Sequence, residues 1–272
     1  MRIFRTAVII LFILVTGLFL AAHYINRVRL DLTVPEISYE AQVLEVSVNA
    51  DTAELLRDVT ASDAKDGDLT GRVIVEKISN FVEKGLSNIT YAVVDADNHT
   101  VKATRRLHYI DYRSPRFVFN RAMRFDAGSS FNILAALGAV DMIDGDISDK
   151  IKLTGSDLNV TSPGVYQMQA QVTNSKGDVS YLRFNVTITT SQRGLPAIDL
   201  SEYLLYLKPG ERADLEGLVR EVSYNGQPVD SYALEVNPQQ QPFTPGQHTI
   251  MYHVTDQAGR SGETELVIIV EE

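Results

Sequence analysis

The feature that most constrains the fold is a pattern that this chain of 272 residues repeats three times, with a period close to 80 residues. In each copy a turn glycine is followed ten residues later by Asp or Asn, and apolar and polar residues alternate between them. The three segments are residues 85–95, 164–174 and 246–256. Self-similarity at a fixed period indicates three structural units of one kind.

Two further landmarks accompany each of these segments. A turn dipeptide lies 29, 30 and 31 residues before the Asp or Asn of the three copies: Asp66-Gly67, Asp144-Gly145 and Asn225-Gly226. A run rich in β-branched and aromatic residues closes each copy, at residues 101–110, 179–189 and 263–270. Three landmarks in one order at near-constant spacing would not arise by chance.

Each copy is expected to be a small β-sandwich. Its runs have the composition of β-strands, and Asp-Gly, Asn-Gly, Lys-Gly and Ala-Gly dipeptides separate them at hairpin spacing. Short helical turns are expected at residues 52–59 and 132–140. The predicted fold class is all-β: three tandem immunoglobulin-like β-sandwich domains preceded by one N-terminal transmembrane helix. An antibody-type core is excluded, because the chain contains no Cys and no Trp.

The repeat sets the predicted domain boundaries. Residues 1–30 are interpreted as a short cytoplasmic tail and transmembrane signal anchor. The three immunoglobulin-like domains are predicted at residues 31–113, 114–191 and 195–272. The joints at residues 111–115 and 190–196 are short and contain proline, so we expect a semi-rigid array.

The anchor prediction rests on an uncharged stretch at residues 7–25, which we mark by Ala7, Leu14 and Ala22. Its 19 residues are enough to cross a hydrocarbon core of roughly 30 Å. A cleaved signal peptide is the competing interpretation. Cleavage needs small residues at both −1 and −3, and Ala21 and Ala22 have Phe and Leu at −3, which favours an uncleaved anchor.

Topology and charge follow from this segment. The six-residue tail before it cannot form a domain, whereas 247 residues follow it. We therefore expect a single-pass cell-membrane protein whose C-terminal domains are extracellular. The net charge of −10 becomes −12 once Arg2 and Arg5 of the anchor are set aside. An acidic chain argues against nucleic-acid binding, and the lack of cysteine excludes disulfide scaffolds and thiolate metal sites.

Two segments of the chain resemble a known family. Residues 61–70 read Ala-Ser-Asp-Ala-Lys-Asp-Gly-Asp-Leu-Thr, and residues 90–95 read Thr-Tyr-Ala-Val-Val-Asp; the pattern returns at residues 139–148 and 164–166. It resembles the bacterial immunoglobulin-like repeat named after a pesticidal crystal protein, which is related to hyalin-type and cadherin-like modules. The resemblance spans nearly all of residues 31–272. It implies spacer or adhesive modules of a bacterial surface protein.

Six carboxylates are the best candidates for a chemical site. Three fall within six residues in each of the first two copies: Asp63, Asp66 and Asp68, then Asp141, Asp144 and Asp146. One hypothesis is a calcium site, since hard cations prefer several carboxylate and carbonyl oxygens. The other is that these residues form and cap turns. The third copy has Val222, Asn225 and Gln227 at the matching positions, so it is expected not to bind calcium.

Two other groups of residues could form binding surfaces. Residues 116–125 interleave Arg with Phe, which favours a strand with Phe packed inward and Arg lying along the surface. The third copy is rich in tyrosine, which could line a sugar or peptide groove or fill the sheets and core. These tyrosines are Tyr203, Tyr206, Tyr224, Tyr232 and Tyr252.

The pattern of residues predicts a protein that is not an enzyme. The five histidines are scattered, and the sequence contains no nucleophile elbow and no phosphate-binding glycine loop. The expected function is a membrane-anchored extracellular stalk or adhesion module, with a protein or polysaccharide on the cell surface as a possible ligand and no cofactor. The alternatives are a calcium-rigidified adhesin, and a scaffold subunit of an envelope export or polysaccharide-assembly machine.

Overall fold

The computed structural model describes residues 2–29, 33–190, 194–238 and 240–271. It divides into two compact units, residues 1–111 and 112–272, which are described separately. The first unit contains one helix and the first repeat, and the second contains repeats 2 and 3. The predicted domain start at residue 31 and the predicted gap at residues 192–194 fall wholly or partly on residues outside those described.

The N-terminal helix, α1, is Arg2–Arg29. Within it, Phe4–Tyr24 is long and apolar enough to cross a membrane by length and composition, and none of that stretch is buried in the structure. A signal sequence passes the same test. Ala7, Leu14 and Ala22 all lie in this stretch and are exposed, as are large apolar side chains such as Phe12 and Leu18. A helix that is apolar on every face is expected to need a non-aqueous environment.

Repeat 1 forms two facing sheets, one of three strands and one of four. Its elements are β1 (Glu36–Tyr39), β2 (Val43–Val46), α2 (Thr52–Leu55), β3 (Val59–Asp63), β4 (Gly67–Asp68), β5 (Ile74–Ile78), β6 (Leu86–Val94) and β7 (Thr100–Tyr109). The strand orders are β1-β3-β4 and β2-β7-β6-β5. β2 runs parallel to β7, and the other pairs are antiparallel.

Repeat 2 reproduces this topology at the start of the second unit. Its elements are β8 (Arg116–Phe119), β9 (Arg124–Asp126), α3 (Ile133–Ala136), β10 (Leu137–Asp141), β11 (Gly145–Asp146), β12 (Lys152–Ser156), β13 (Gly164–Thr173) and β14 (Val179–Thr189). The sheets are β11-β10-β8 and β12-β13-β14-β9. The strand β9 again runs parallel to β14.

Repeat 3 has the same two sheets, and its described residues form a 3-10 turn at Glu216–Leu218 but no α-helix. Its strands are β15 (Ala197–Leu200), β16 (Leu204–Leu207), β17 (Val219–Tyr224), β18 (Gln227–Pro228), β19 (Tyr232–Asn237), β20 (Gly246–Asp256) and β21 (Ser261–Val270). The orders are β15-β17-β18 and β16-β21-β20-β19, with β16 parallel to β21. The predicted fold class is therefore confirmed: the chain is an all-β protein of tandem two-sheet sandwiches behind one apolar helix.

Strand alternation builds each core. In β14, Leu182, Phe184 and Val186 are buried, whereas Arg183 and Asn185 between them are exposed. The core of repeat 1 also holds one cation, Arg105, which is 3 % exposed. Its Nε donates to the Tyr91 hydroxyl at 2.9 Å. A buried charge is tolerated there because hydrogen bonds replace its water shell.

Two local predictions need correction. The helical turns are single turns, α2 and α3, and the residues that follow them form β3 and β10 rather than extending the helix. Residues 116–125 form two strands, β8 and β9, in different sheets instead of one strand. The inward packing of the aromatic side chains is as expected, since Phe117, Phe119 and Phe125 are all buried.

Side chains, and not only the linker, join repeats 2 and 3. Leu204 and Val267 of repeat 3 belong to the hydrophobic cluster of repeat 2. They project from the outer face of the four-stranded sheet of repeat 3, while the inner-face residue Ile268 packs in the cluster of repeat 3 itself. Burial of two such aliphatic side chains contributes about 3 to 6 kcal/mol to this contact.

Candidate functional site

The polar landmarks of the repeat meet at one end of each sandwich. Two hairpin turns lie there: the short turn, between β3 and β4 or its equivalents, and the long turn, between β6 and β7 or its equivalents. All six acidic residues of the predicted calcium sites belong to the short turns or to the residues beside them. We therefore built the candidate site from these two turns in each repeat.

The long turn has the same side-chain cap in all three repeats. Asp95 Oδ1 accepts hydrogen bonds from the backbone N–H groups of Asp97 and His99, at 2.9 and 2.8 Å. Asn174 caps residues 176 and 178 at 3.0 and 2.9 Å, and Asp256 caps residues 258 and 260 at 2.9 Å each. The landmark Asp or Asn thus closes a hairpin, and its spacing is set by the hairpin.

A left-handed residue completes each long turn. Asn98, Gly177 and Gly259 occupy the third position after the cap and have φ of 69°, 83° and 76°. Gly and Asn are the residues that adopt this conformation most readily. The sequence signal for this turn is therefore Asx followed three residues later by Gly or Asn.

The capping carboxylates are held ionised. Burial would raise the pKa of Asp95, but the N–H groups of His99 and Asp97 and the His99 ring together hold the pKa of this carboxyl below its usual value. Burial opposes ionisation of Asp256 in the same way, and the Arg260 side chain and backbone N–H groups lower its pKa. Hydrogen bonds to the charged form outweigh desolvation at both positions.

The short turns of repeats 1 and 2 are also capped by their first aspartate. Asp63 Oδ1 accepts from the N–H groups of Lys65 and Asp66, at 2.7 and 3.0 Å. Asp141 makes the same pair of bonds to residues 143 and 144, at 2.9 Å each. The last aspartates, Asp68 and Asp146, accept from the N–H groups of Thr70 and Ser148 at 2.9 Å.

The middle aspartate joins the two turns. Asp66 Oδ2 accepts the N–H of Ala96, the residue after the long-turn cap, at 2.6 Å. Asp144 accepts the N–H of Ser175 at 2.6 Å and its hydroxyl at 2.5 Å. The three aspartates of each repeat thus have three separate structural partners, which agrees with the turn hypothesis.

These carboxylates do not converge on one point. Within the described ranges, no group of three His, Cys, Asp or Glu side chains is arranged to hold a metal ion. One carboxylate oxygen of these turns is buried without a hydrogen bond. Asp63 is 7 % exposed, and its Oδ2 has no hydrogen-bond partner among the described residues. Calcium binding by Asp63, Asp66 and Asp68, or by Asp141, Asp144 and Asp146, stays a prediction.

Repeat 3 departs from this plan because its short turn lacks one residue. Three residues separate Asp63 from its partner Gly67, whereas only Asn225 and Gly226 separate Tyr224 from Gln227. Both loop residues have positive φ, 51° and 74°, as a two-residue hairpin turn requires. The register places Tyr224, and not Val222, at the position of Asp63, which corrects the alignment made from sequence.

In repeat 3 an arginine of the long turn contacts the short turn. The Arg260 guanidinium lies 3.4 Å from the centroid of the Tyr224 ring. The same side chain donates to Asp256 Oδ2 at 2.6 Å. A cleft of 470 Å³ opens beside these residues, between the short turn and the long turn of repeat 3.

The five tyrosines of repeat 3 do not line one groove. Tyr252 is fully buried, and its hydroxyl donates to the Leu215 carbonyl at 2.8 Å. Tyr203 and Tyr206 border a groove of 340 Å³ at the contact with repeat 2. Among the five, Tyr224 alone borders the cleft.

The contact between repeats 2 and 3 contains a buried carboxyl that the sequence did not single out. Glu265 is 6 % exposed, and its Oε2 accepts from the Thr187 hydroxyl at 3.2 Å. Burial raises the pKa of Glu265, and the nearby Glu263 adds to this, while Thr187 and Arg124 oppose it. Arg124 itself pairs with Glu263. An outward-facing Glu on a strand is ordinarily solvated, so only the packing of the two repeats reveals this group.

Known proteins offer limited comparison. No protein-family profile matches the chain. The pesticidal crystal protein Cry22Aa of Bacillus thuringiensis is 24 % identical in an alignment 268 positions long, which covers 91 % of this chain and 35 % of that protein. This chain therefore spans about a third of the length of that relative.

Two solved structures illustrate the structural neighbours. The CBM51-2 and INT domains of Clostridium perfringens ZmpB, solved in complex with GlcNAc, align with 12 % identity and a TM-score of 0.27, over 56 % of this chain and 41 % of that one. Drosophila N-cadherin EC1-4 aligns with 12 % identity and a TM-score of 0.22, over 89 % and 76 %. The fold assignment above rests on the sheets of this structure.

Proposed function

We propose that this chain is a non-enzymatic, membrane-anchored extracellular protein whose tandem immunoglobulin-like domains serve as a stalk or adhesion module. The observation that carries the proposal is that the polar residues that recur in the three repeats hold the hairpins together. Asp95, Asn174 and Asp256 each cap a hairpin, and Asp66 and Asp144 tie two hairpins together. The landmarks that recur in the sequence serve the repeated scaffold, so recognition falls to loops and sheet edges that differ between repeats.

The proposed class is the bacterial immunoglobulin-like repeat named after a pesticidal crystal protein. Support comes from the residues of the acidic turn and from the relative that is 24 % identical over 91 % of this chain. The proposed ligand is a protein or polysaccharide on the cell surface. No bond is made or broken in this role, and binding uses the exposed edges of the sandwiches.

The proposed location follows from α1. Its exposed apolar surface supports a single membrane crossing with the repeats outside the cell. Repeats 2 and 3 would act as one body, because Leu204 and Val267 pack into the neighbouring repeat and Arg116 and Arg124 pair with Glu271 and Glu263.

Crosslinking on intact cells tests this function. A membrane-impermeant crosslinker is applied to cells that carry the tagged full chain, and the captured partners are identified by mass spectrometry. We expect crosslinks from the repeats to surface proteins or polysaccharide, and none from a variant lacking residues 1–29. Recovery of one export or polysaccharide-synthesis complex would favour the scaffold function over adhesion. Crosslinking of the chain in lysed cells but not in intact cells would contradict an extracellular location.

A calcium-rigidified adhesin is the second candidate, favoured by the open Asp63 Oδ2 atom. Calorimetric titration of the full chain with calcium tests it, with Asp63→Asn and Asp141→Asn as the two variants. The calcium proposal expects heat and a rise in melting temperature that Asp63→Asn removes. The absence of both from the unmodified chain would eliminate this candidate and leave the adhesion proposal intact.

A further inference from the structure

Repeat 3 lacks the carboxylate that joins the short turn to the long turn in repeats 1 and 2. In repeats 1 and 2 the N–H of the residue after the cap donates to Asp66 or Asp144, at 2.6 Å in both. The equivalent residue of repeat 3 is Gln257, which follows Asp256. Among the described residues, no carboxylate accepts its N–H, because the two-residue loop Asn225-Gly226 contains no aspartate.

The residues of this junction border the cleft of repeat 3. Gln257 lines this cleft of 470 Å³ together with Arg260, Tyr224 and Ser231. The two donors are of the kind that binds carboxylates: a turn N–H and a guanidinium. Arg260 uses Nε and Nη2 on Asp256 and also interacts with Tyr224, so only part of the five N–H groups of its guanidinium is left for a ligand.

We propose that this cleft binds an aspartate or glutamate side chain of a protein partner, in the position that Asp66 and Asp144 occupy in the other repeats. The occupant is argued from the molecule itself, since an aspartate on a tight turn fills the equivalent position twice. The inference deepens the proposed adhesion function and rests on it for its biological setting. The binding itself is independent of whether the chain is an adhesin.

The charges around the cleft set a limit on this binding. Asp256 is neutralised by Arg260, whereas Asp230 is exposed on the cleft lining and repels an anion. Asp230→Asn is therefore expected to strengthen binding, and high salt to weaken it. Tyr224 packs against the Arg260 guanidinium in the lining of the cleft, so it acts as a positioning residue.

The test uses the full chain in detergent micelles, labelled with ¹⁵N at Gln and Ser, and an acetylated, amidated peptide Ala-Lys-Asp-Gly-Ser. We expect a saturable shift of the Gln257 N–H signal, and about tenfold weaker binding of the same peptide with Asn for Asp, because the amide loses the charge-assisted part of the hydrogen bonds. The Asp230→Asn variant should bind more tightly than the unmodified chain.

Two matched variants test the structural reasoning. Replacing residues 224–227 by the five residues 63–67 of repeat 1 supplies an internal carboxylate and should abolish the Gln257 shift. Asp144→Ala in repeat 2 vacates the equivalent position and should create a new peptide-dependent shift at Ser175. Each variant is first shown to keep the strand signals of the parent.

Three outcomes would overturn the proposal. They are an unmoved Gln257 signal at saturating peptide, equal binding of the Asp and Asn peptides, and a shift produced by glucuronate but not by peptide. The last outcome would assign the cleft to an acidic polysaccharide. None of the three bears on the surface-crosslinking result, so failure here is distinguishable from failure of the adhesion proposal.

Discussion

At the scale of single residues, the capping Asx is the most consequential position in each repeat. Asn174 is 5 % exposed and its side chain makes four hydrogen bonds: Oδ1 accepts two, and Nδ2 donates to Asp141 Oδ2 and the Tyr112 hydroxyl. Its removal leaves buried donors and acceptors without partners. That loss costs more than the hydrogen bonds are worth in isolation.

We therefore expect Asn174→Ala to lower the free energy of unfolding of the second unit by about 1 to 3 kcal/mol. Urea denaturation followed by circular dichroism measures the change. Asn185→Ala, at an exposed position of β14, is the control and should stay within about 0.5 kcal/mol of the parent. Equal effects of the two substitutions would contradict the capping role.

Glu265 gives a second residue-scale prediction, about pH. Its pKa in the folded protein is raised by burial, so protonation favours the packed state. The stabilisation is fully present below the unfolded pKa of about 4.3 and is lost as the pH rises through the folded value. Mild acid should therefore strengthen the contact between repeats 2 and 3. Glu263, His253 and Arg124 face the same contact and must be controlled.

Hydrogen exchange of β21 amides between pH 5 and 7.5, corrected for the intrinsic rate, measures this effect. We expect greater protection at the acidic end in the parent chain. Glu265→Gln should keep high protection across the range and remove most of the pH dependence. Should His253→Gln instead abolish the dependence, the responsible group is His253.

At the scale of elements, two glycines of the hairpins act for different reasons. Gly145 has φ of 72°, and an added Cβ would meet nothing within 4 Å. Gly262 lies on β21, where a Cβ would approach the Pro196 carbonyl oxygen to 1.9 Å. The first position requires a left-handed backbone, and the second requires space for a neighbouring chain segment.

Gly262→Ala is therefore expected to destabilise the second unit by about 3 kcal/mol or more, because backbone must move. Gly145→Ala should cost about 1 to 2 kcal/mol, from the conformation alone. Thermal unfolding of the two variants measures the order. A larger destabilisation by Gly145→Ala than by Gly262→Ala would show that the backbone at Pro196 moves aside at little cost.

At the scale of the whole molecule, the proposed membrane attachment depends on α1. The stretch Phe4–Tyr24 carries no acidic residue and only Arg5 as a cation, and residues 26–272 have a net charge of −12. An anionic array beside an anionic envelope is expected to stand away from lipid. Attachment to the membrane then depends on the helix.

Leu14→Arg tests this dependence, because an arginine at the centre of a spanning helix costs about 2.5 to 3.5 kcal/mol on insertion scales. We expect the variant to leave the membrane fraction, with Leu14→Ala as the control that remains. Intact-mass measurement of the parent protein separates an anchor from a signal peptide. A mass that lacks the first 22 residues would contradict the anchor.

The sequence by itself determined the repeat, its β-class and the approximate bounds of the closing strand of each copy, because period-2 burial and turn dipeptides are local properties. The closing run predicted at residues 179–189 is β14 to the residue. It also singled out the Asp-Gly turns, since positive φ restricts which residues can stand there.

Only the tertiary structure decided what the polar residues do. Three features depend on segments about 30 to 80 residues apart in the chain. They are the hydrogen bonds between Asp144 and Ser175, the burial of Glu265, and the shortened loop that leaves the N–H of Gln257 without a carboxylate acceptor among the described residues. Periodicity describes which way a side chain points from its own strand. It carries no information about which side chain of another strand arrives opposite it.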